Sequence, residues 1–321
     1  EKFNIKESTL LVEKEQKEDG LVRKTPLIYE AKGFSPQFKS LCKELWFKCE
    51  NLQVMGSFKI RGLVPMLQDI LKDKTKTKNG VVTMSAGNFG RSFSYTTQAY
   101  GIKATVVMPD NVPEDRVKIC KQYGAKVILK PRISLQNEVN RIVEEEGAMF
   151  CHPFDDPSLI SGYGSVAKEF GENLPDVIIC GIGGGGLISG IALYIRTVLN
   201  RKDIEIYGVE PEGAQNMGLA LAANKVVHMK EITSFVNGLS PPFAGENTLE
   251  CVQKFVNKVV TVTDDEVKEA MRVLYHDCKL VVESAGAASV AAVLSGACGD
   301  LSNKRVACIL SGGNVDIHEM A

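Results

Sequence analysis

Two stretches of this 321-residue chain have the residue types and spacing to do chemistry. The first is Gly181-Ile182-Gly183-Gly184-Gly185-Gly186. It follows an apolar run over 176–180 that reads as a buried strand and precedes residues 187–195, which read as a helix. A strand that turns through glycines into a helix presents bare backbone N–H groups and the positive end of a helix dipole, which together receive a phosphate. Gly181, Gly183 and Gly186 satisfy the dinucleotide pattern G-x-G-x-x-G, and Glu210 ends the next apolar run about where a ribose-binding acid would sit. A dinucleotide and a small phosphorylated cofactor are both consistent with the spelling. A tight turn needing glycine only for packing is disfavoured, because consecutive glycines cost backbone entropy at each position.

The second stretch is Gly56-Ser57-Phe58-Lys59-Ile60-Arg61-Gly62. Ser57 is expected to cap a helix that runs to about Leu71, which places Lys59 in its first turn. The dipole disfavours a cation there, so the amine gives up its proton readily and becomes nucleophilic towards a carbonyl. A solvated surface lysine is the plainer alternative. Two further loops carry small polar residues after apolar runs. Ser85-Ala86-Gly87-Asn88 has a hydroxyl, amides and a carboxamide able to grip a carboxylate, or it merely caps a helix. Ser311-Gly312-Gly313-Asn314 occupies an equivalent kind of place. Glu210 and Glu283 end apolar runs and are expected to be exposed or capping.

The elements that must position these loops follow a regular alternation. Strands are predicted over 81–84, 104–108 and 126–129, with helices over 88–100, 113–123 and 135–146. A strand candidate also covers 45–50, and the alternation resumes from residue 176 to 310. Strands alternating with helices of this length imply α/β architecture: mostly parallel open sheets covered by helices, in two domains, with ligands at strand C-terminal ends in the cleft between.

The bulk properties exclude several classes. A net charge of −1 gives no electrostatic case for nucleic acid or an anionic membrane surface as partner. No apolar run approaches the ~20 residues needed to span a bilayer, and the N-terminus lacks the order of a secretion signal. The nine cysteines are scattered without a C-x-x-C pair, which favours buried thiols in a reducing, cytoplasmic setting. His152, His228, His276 and His318 show no metal-ligand spacing.

In this order, the stretches resemble the pyridoxal-phosphate enzymes of the tryptophan-synthase-β-like fold (fold type II), and among them the serine/threonine dehydratases and serine racemase. The resemblance runs from Lys24-Thr25-Pro26-Leu27 to the Ser311 loop and includes His152-Pro153-Phe154-Asp155-Asp156-Pro157. It implies a large cofactor-binding domain of residues 1–79 and 158–321 and a small domain of residues 80–157 carrying the substrate-carboxylate loop. Lys59 would hold pyridoxal 5′-phosphate covalently, with Phe58 flanking the ring. Gly183, Gly184, Gly185, Gly186 and Leu187 would bind its phosphate, and Asn88 its 3′-oxygen. Ser85, Ala86, Gly87 and Asn88 would hold the substrate carboxylate. Ser311 would face the pyridine nitrogen, and a hydroxyl there leaves that nitrogen largely unprotonated, favouring prompt loss of a β-leaving group. The implied reaction converts L-serine or L-threonine to pyruvate or 2-oxobutanoate plus ammonia, in a homodimer.

Two departures sharpen this. In serine racemase the position of Ala86 is a serine that protonates the opposite face of the α-carbon, and alanine has no proton to give. Racemisation is therefore expected to be weak. The racemase's divalent-cation site uses a glutamate, a backbone carbonyl and an aspartate; here Glu210 and the Ala214 carbonyl match, but the aspartate is Asn216. One lost carboxylate weakens the pull on Mg²⁺ or Ca²⁺, and a monovalent cation is the alternative. The long threonine dehydratases add a C-terminal regulatory domain, for which a chain ending at Ala321 is not expected to have room.

Overall fold

Ten short strands form among the described residues, most of them rich in valine and isoleucine. A computed structural model describes residues 2–17, 20–73 and 77–315. The strands are β1 (Leu27–Ile28), β2 (Cys42–Lys48), β3 (Val81–Met84), β4 (Ala104–Pro109), β5 (Lys126–Lys130), β6 (Met149–Phe150), β7 (Val177–Gly181), β8 (Glu205–Pro211), β9 (Lys258–Val262) and β10 (Leu301–Ile309). They build a six-stranded sheet in the order β1-β2-β10-β7-β8-β9 and a four-stranded sheet in the order β5-β4-β3-β6. Every pairing is parallel except β1 with β2. Parallel strands need crossover helices and so end up covered on both faces, which is why β7 reads as an unbroken apolar run and is wholly buried.

The alternation expected from the sequence is present. Helices Asn88–Ala99, Glu114–Gln122 and Leu135–Glu146 connect the strands of the smaller sheet. The larger sheet is assembled from both ends of the chain: Ala307 of β10 pairs with Trp46 of β2 on one side and Ile178 of β7 on the other. Strand β2 begins three residues earlier than the pattern suggested, at Cys42.

Helix Pro157–Tyr163 lies against helix Lys59–Leu71 and helix Gly186–Leu193. Glycines permit the approach: a Cβ on Gly62 would sit 2.6 Å from the Leu159 carbonyl. Arg61, fully buried, fixes the first helix from its other side. It donates to Glu50 at 2.7 and 2.8 Å and to Glu169 at 2.6 and 3.0 Å. Lys48 joins Glu169 in the same cluster, so two cations face two carboxylates. Removing one member of such a set would strand a buried charge.

One local expectation fails. Ser57 does not cap the helix; the preceding position is Phe58, with no side-chain cap. Ser57 is instead extended, forms an antiparallel bridge with Gly312, and its buried Oγ has no hydrogen-bond partner. Backbone pairing to a segment more than two hundred residues away took precedence over local capping. All nine cysteines are buried and unpaired. Burial pushes several of these thiols up, Cys49 and Cys251 to about 12, so they are poor nucleophiles. Among the described residues no helix is long and apolar enough to cross a membrane.

Candidate active site

The C-terminal ends of β3, β7 and β10 lead into the three loops singled out from the sequence. After β7, Ile182 N–H still donates to Val209 at 2.7 Å, and the chain then turns through Gly183–Gly185 into helix Gly186–Leu193. Gly185 has φ +92, a backbone region that side chains avoid. A Cβ on Gly183 would lie 2.9 Å from the Gly238 carbonyl, and one on Gly186 2.9 Å from the Phe154 carbonyl. The first intrahelical bond is Ser189 N–H to Gly185 O, so the N–H groups of Gly186, Leu187 and Ile188 have no partner within the helix. Thr248 holds the loop from behind, its hydroxyl donating to the Gly184 carbonyl at 2.6 Å. The result is a rigid nest of donors at a helix N-terminus.

Lys59 is the first residue of its helix. The residue before it is stitched to the last loop: Phe58 N–H donates to the Ser311 carbonyl at 3.2 Å. The Lys59 amine sits 3.5 Å from the Pro153 carbonyl and over the rings of Phe58 and Phe89, at 4.8 and 5.8 Å from their centroids. These surroundings desolvate it and lower its pKa to about 8, against the attraction of Glu283. The surface-lysine alternative therefore gives way to an amine that is readily neutral, fit for a nucleophile or base.

Asn88, Glu283, Asn314 and Arg91 form one hydrogen-bonded network. Asn88 Nδ2 donates to Glu283 Oε1 at 2.6 Å, and Asn314 Nδ2 donates to Asn88 Oδ1 at 2.8 Å. Asn314 N–H donates to Glu283 Oε2 at 3.1 Å, and Arg91 donates to Asn314 Oδ1. Ser85 Oγ accepts from the N–H groups of Gly90 and Gly87 at 3.0 and 3.3 Å, so this hydroxyl shapes its own turn. The Ala86 carbonyl accepts from Arg116 at 3.3 Å. Ser311 is buried. His152, whose Nδ1 accepts from the N–H groups of Asp155 and Phe154, is kept neutral: burial lowers its pKa to about 4.

Glu283 corrects the expectation of an exposed or capping acid. It immediately precedes helix Ser284–Leu294 but makes no side-chain cap, is buried, and faces Lys59 and Asn88. Burial raises its pKa to about 7. The folded protein thus holds a proton on Glu283 between roughly pH 4.5 and 7 that the unfolded chain has released. Stability must fall as pH rises through that window. Glu283→Gln should reduce the slope of this part of the stability–pH curve of the cofactor-free protein, measured by denaturant unfolding, without abolishing it, because burial raises Glu210 to about 7 as well. An unchanged slope would show that Glu283 does not titrate there.

Glu210 is buried too, and its two oxygens accept from the N–H groups of Met217 and Gly218 at 2.7 and 2.8 Å. Asn216 Nδ2 donates to the Pro241 carbonyl at 3.3 Å, while its buried Oδ1 has no hydrogen-bond partner. Ala214 lies in the same turn. One carboxylate already bonded to two amides, with neutral oxygens beside it, is a donor set with a weaker pull on a hard divalent cation than one with a second carboxylate. Among the described residues no three His, Cys, Asp or Glu side chains gather as metal ligands.

Comparison with known proteins agrees with this geometry. Residues 19–312 match the family described as pyridoxal-phosphate dependent enzyme. An L-threonine ammonia-lyase of Geobacter sulfurreducens is 37% identical over 313 residues, covering 96% of this chain and 76% of that protein. A serine racemase of Schizosaccharomyces pombe is 34% identical over 287 residues, covering 88% of this chain and 87% of that protein. The solved structure of maize serine racemase superposes with a TM-score of 0.87 at 32% identity, covering 100% of this chain and 96% of that one.

Proposed function

The chain belongs to the family of pyridoxal-phosphate-dependent enzymes, and we propose that it is an ammonia-lyase that turns L-threonine or L-serine into a 2-oxo acid and ammonia by α,β-elimination. The observation that carries this reading is the desolvated Lys59 amine at the carbonyl of Pro153, whose next residue, Phe154, packs on Gly184 and Gly186 of the glycine nest. The residues fit the cofactor: the nest has no room for side chains at Gly183 and Gly186, and helix N–H groups without helical partners point out of it. The nest alone suits either phosphate; the family match over residues 19–312 and the desolvated Lys59 amine support pyridoxal over a dinucleotide.

When bound, pyridoxal phosphate supplies the electron sink that makes the substrate α-proton acidic. The amides from Gly183 to Leu187 would bind its phosphate, and Phe58 would flank its ring. Asn88 spends one Nδ2 hydrogen on Glu283 and has a second for the 3′-oxygen. Ser311 offers a hydroxyl, not a carboxylate, to the pyridine nitrogen. The loop Ser85-Ala86-Gly87-Asn88 holds the substrate carboxylate through backbone N–H groups and the Ser85 hydroxyl proton. Lys59, neutral above about pH 8, removes the α-proton from one face.

Elimination needs a base on one face only, whereas racemisation needs a proton donor on the other. Ala86 cannot serve. Ala86→Ser should therefore raise the ratio of L/D-serine interconversion to pyruvate formation, by about tenfold or more if the new hydroxyl acts as an acid. Wild-type protein that interconverts the serine enantiomers as fast as it forms pyruvate would contradict this assignment. Threonine and serine differ by a methyl group, a difference that a pocket discriminates by only ~1–3 kcal/mol.

The same reading takes the two sheets as two domains, divided near residues 80 and 157, with the small one carrying the carboxylate loop. It includes a homodimer in the cytoplasm. It gives the turn of Glu210, Ala214 and Asn216 to a cation, a weakly held Mg²⁺ or Ca²⁺ or a monovalent ion, supported by the unpartnered Asn216 Oδ1.

A further inference from the structure

Tyr163 is fully buried, and its hydroxyl has no hydrogen-bond partner. A phenol taken from water without a partner is costly, so such a group calls for an explanation. Its direction is fixed by the glycines around it. A Cβ on Gly190 would lie 2.7 Å from Tyr163 Cβ. One on Gly186, a turn earlier in the same helix, would lie 3.6 Å from Cδ2 and 3.2 Å from Cε2. The ring therefore runs along helix Gly186–Leu193 towards its first residue, and Oη lies beyond. On the opposite edge, a Cβ on Gly62 would lie 2.6 Å from Cε1. The Phe58 ring, immediately before Lys59, meets the Tyr163 ring edge-on at 4.8 Å. The hydroxyl thus points to where two helices begin: the one headed by Lys59 and the one headed by the glycine nest. Both contribute positive dipole ends and N–H groups without helical partners.

We propose that Tyr163 is a cofactor-binding residue whose O–H donates a hydrogen bond to the phosphate held at the Gly183–Gly186 nest. This rests on the pyridoxal-phosphate reading above and adds a donor from the helix sandwiched between the two cofactor elements. Burial, with Asp156 nearby, keeps the phenol protonated, so it donates at any working pH. The three helices are close enough for this only because Gly62, Gly186 and Gly190 have no side chains.

Tyr163→Phe keeps the ring and removes only the hydroxyl. A hydrogen bond to a charged group is worth ~1.5–3 kcal/mol, so the variant's apoprotein should bind pyridoxal phosphate about tenfold to a hundredfold more weakly. Binding of inorganic phosphate should weaken in parallel, while binding of pyridoxal, which lacks the phosphate, stays unchanged. The apoprotein itself should become more stable to denaturant, because an unpaired buried hydroxyl is gone. A merely structural tyrosine would lose stability and affinity together. Equal losses for pyridoxal and pyridoxal phosphate, or no loss for either phosphate ligand, would overturn the proposal. Wild-type protein that takes up no pyridoxal phosphate would contradict the cofactor reading itself; the inorganic-phosphate titration of the two proteins then still decides the role of Tyr163.

Discussion

Lys59→Ala is expected to lose turnover by at least about 10²–10⁴-fold, the contribution of a positioned general base, and to lose covalent capture of the cofactor as well. The account assigns two tasks to one amine. Its place at the head of helix Lys59–Leu71, desolvated by Phe58 and Phe89, suits it to both. Stability should not suffer, since the substitution removes a desolvated amine while Arg61 still ties the helix to Glu50 and Glu169. Reduction with borohydride followed by peptide mapping checks the covalent claim: wild type should carry the cofactor's mass on the peptide containing Lys59, and the variant nowhere. A variant that turned over within tenfold of wild type would remove Lys59 from the chemistry.

Gly185→Ala should weaken pyridoxal phosphate binding about tenfold or more. The residue sits at φ +92, where a Cβ costs ~1–2 kcal/mol, and each 1.4 kcal/mol is a factor of about ten. The new Cβ would also stand 2.8 Å from Thr248 Cβ and 2.7 Å from Met217 Cε. Met217 ends in a flexible methyl and can yield. Thr248 cannot move freely, because its hydroxyl bonds Gly184 and Gly245. The strain therefore passes to the glycine loop, the proposed phosphate site. Gly296→Ala is the control: φ is +76 there, nothing lies within 4 Å, and the site precedes the N-terminal end of β10, away from the loops. It should cost stability and leave cofactor affinity intact. Equal affinity losses in the two variants would mean that the loop is not the phosphate site.

Much of this was legible in the sequence because its signals are local. The alternation of strand and helix between residues 81 and 146 depends on short-range apolar pattern, and the elements fall within a residue or two of expectation. The glycine stretch announced a nest of bare amides at a helix start, which is a local property and is present in the fold. It did not say whose phosphate, since Glu210 stood in the right place for a ribose. In the fold Glu210 turns its carboxylate onto the helix that follows, away from that role. What was not legible is what distant residues impose. Glu283 is buried because Asn88, 195 residues away, and Asn314 supply its hydrogen bonds. Ser57 is extended because Gly312 pairs with it. Strand β10 enters the sheet between β2 and β7, so the two chain ends share one layer. The direction of the Tyr163 ring is set by Gly62, Gly186 and Gly190 on two other helices, so no local signal could have singled it out.

The most direct test of the central claim is release of 2-oxo acid and ammonia by purified, cofactor-loaded protein offered L-threonine, L-serine and their D-isomers. The account predicts equimolar 2-oxo acid and ammonia from at least one L-isomer, none from Lys59→Ala, and little conversion between L- and D-serine. Cofactor-loaded protein that released no 2-oxo acid from either L-isomer, or that chiefly interconverted the serine enantiomers, would contradict it.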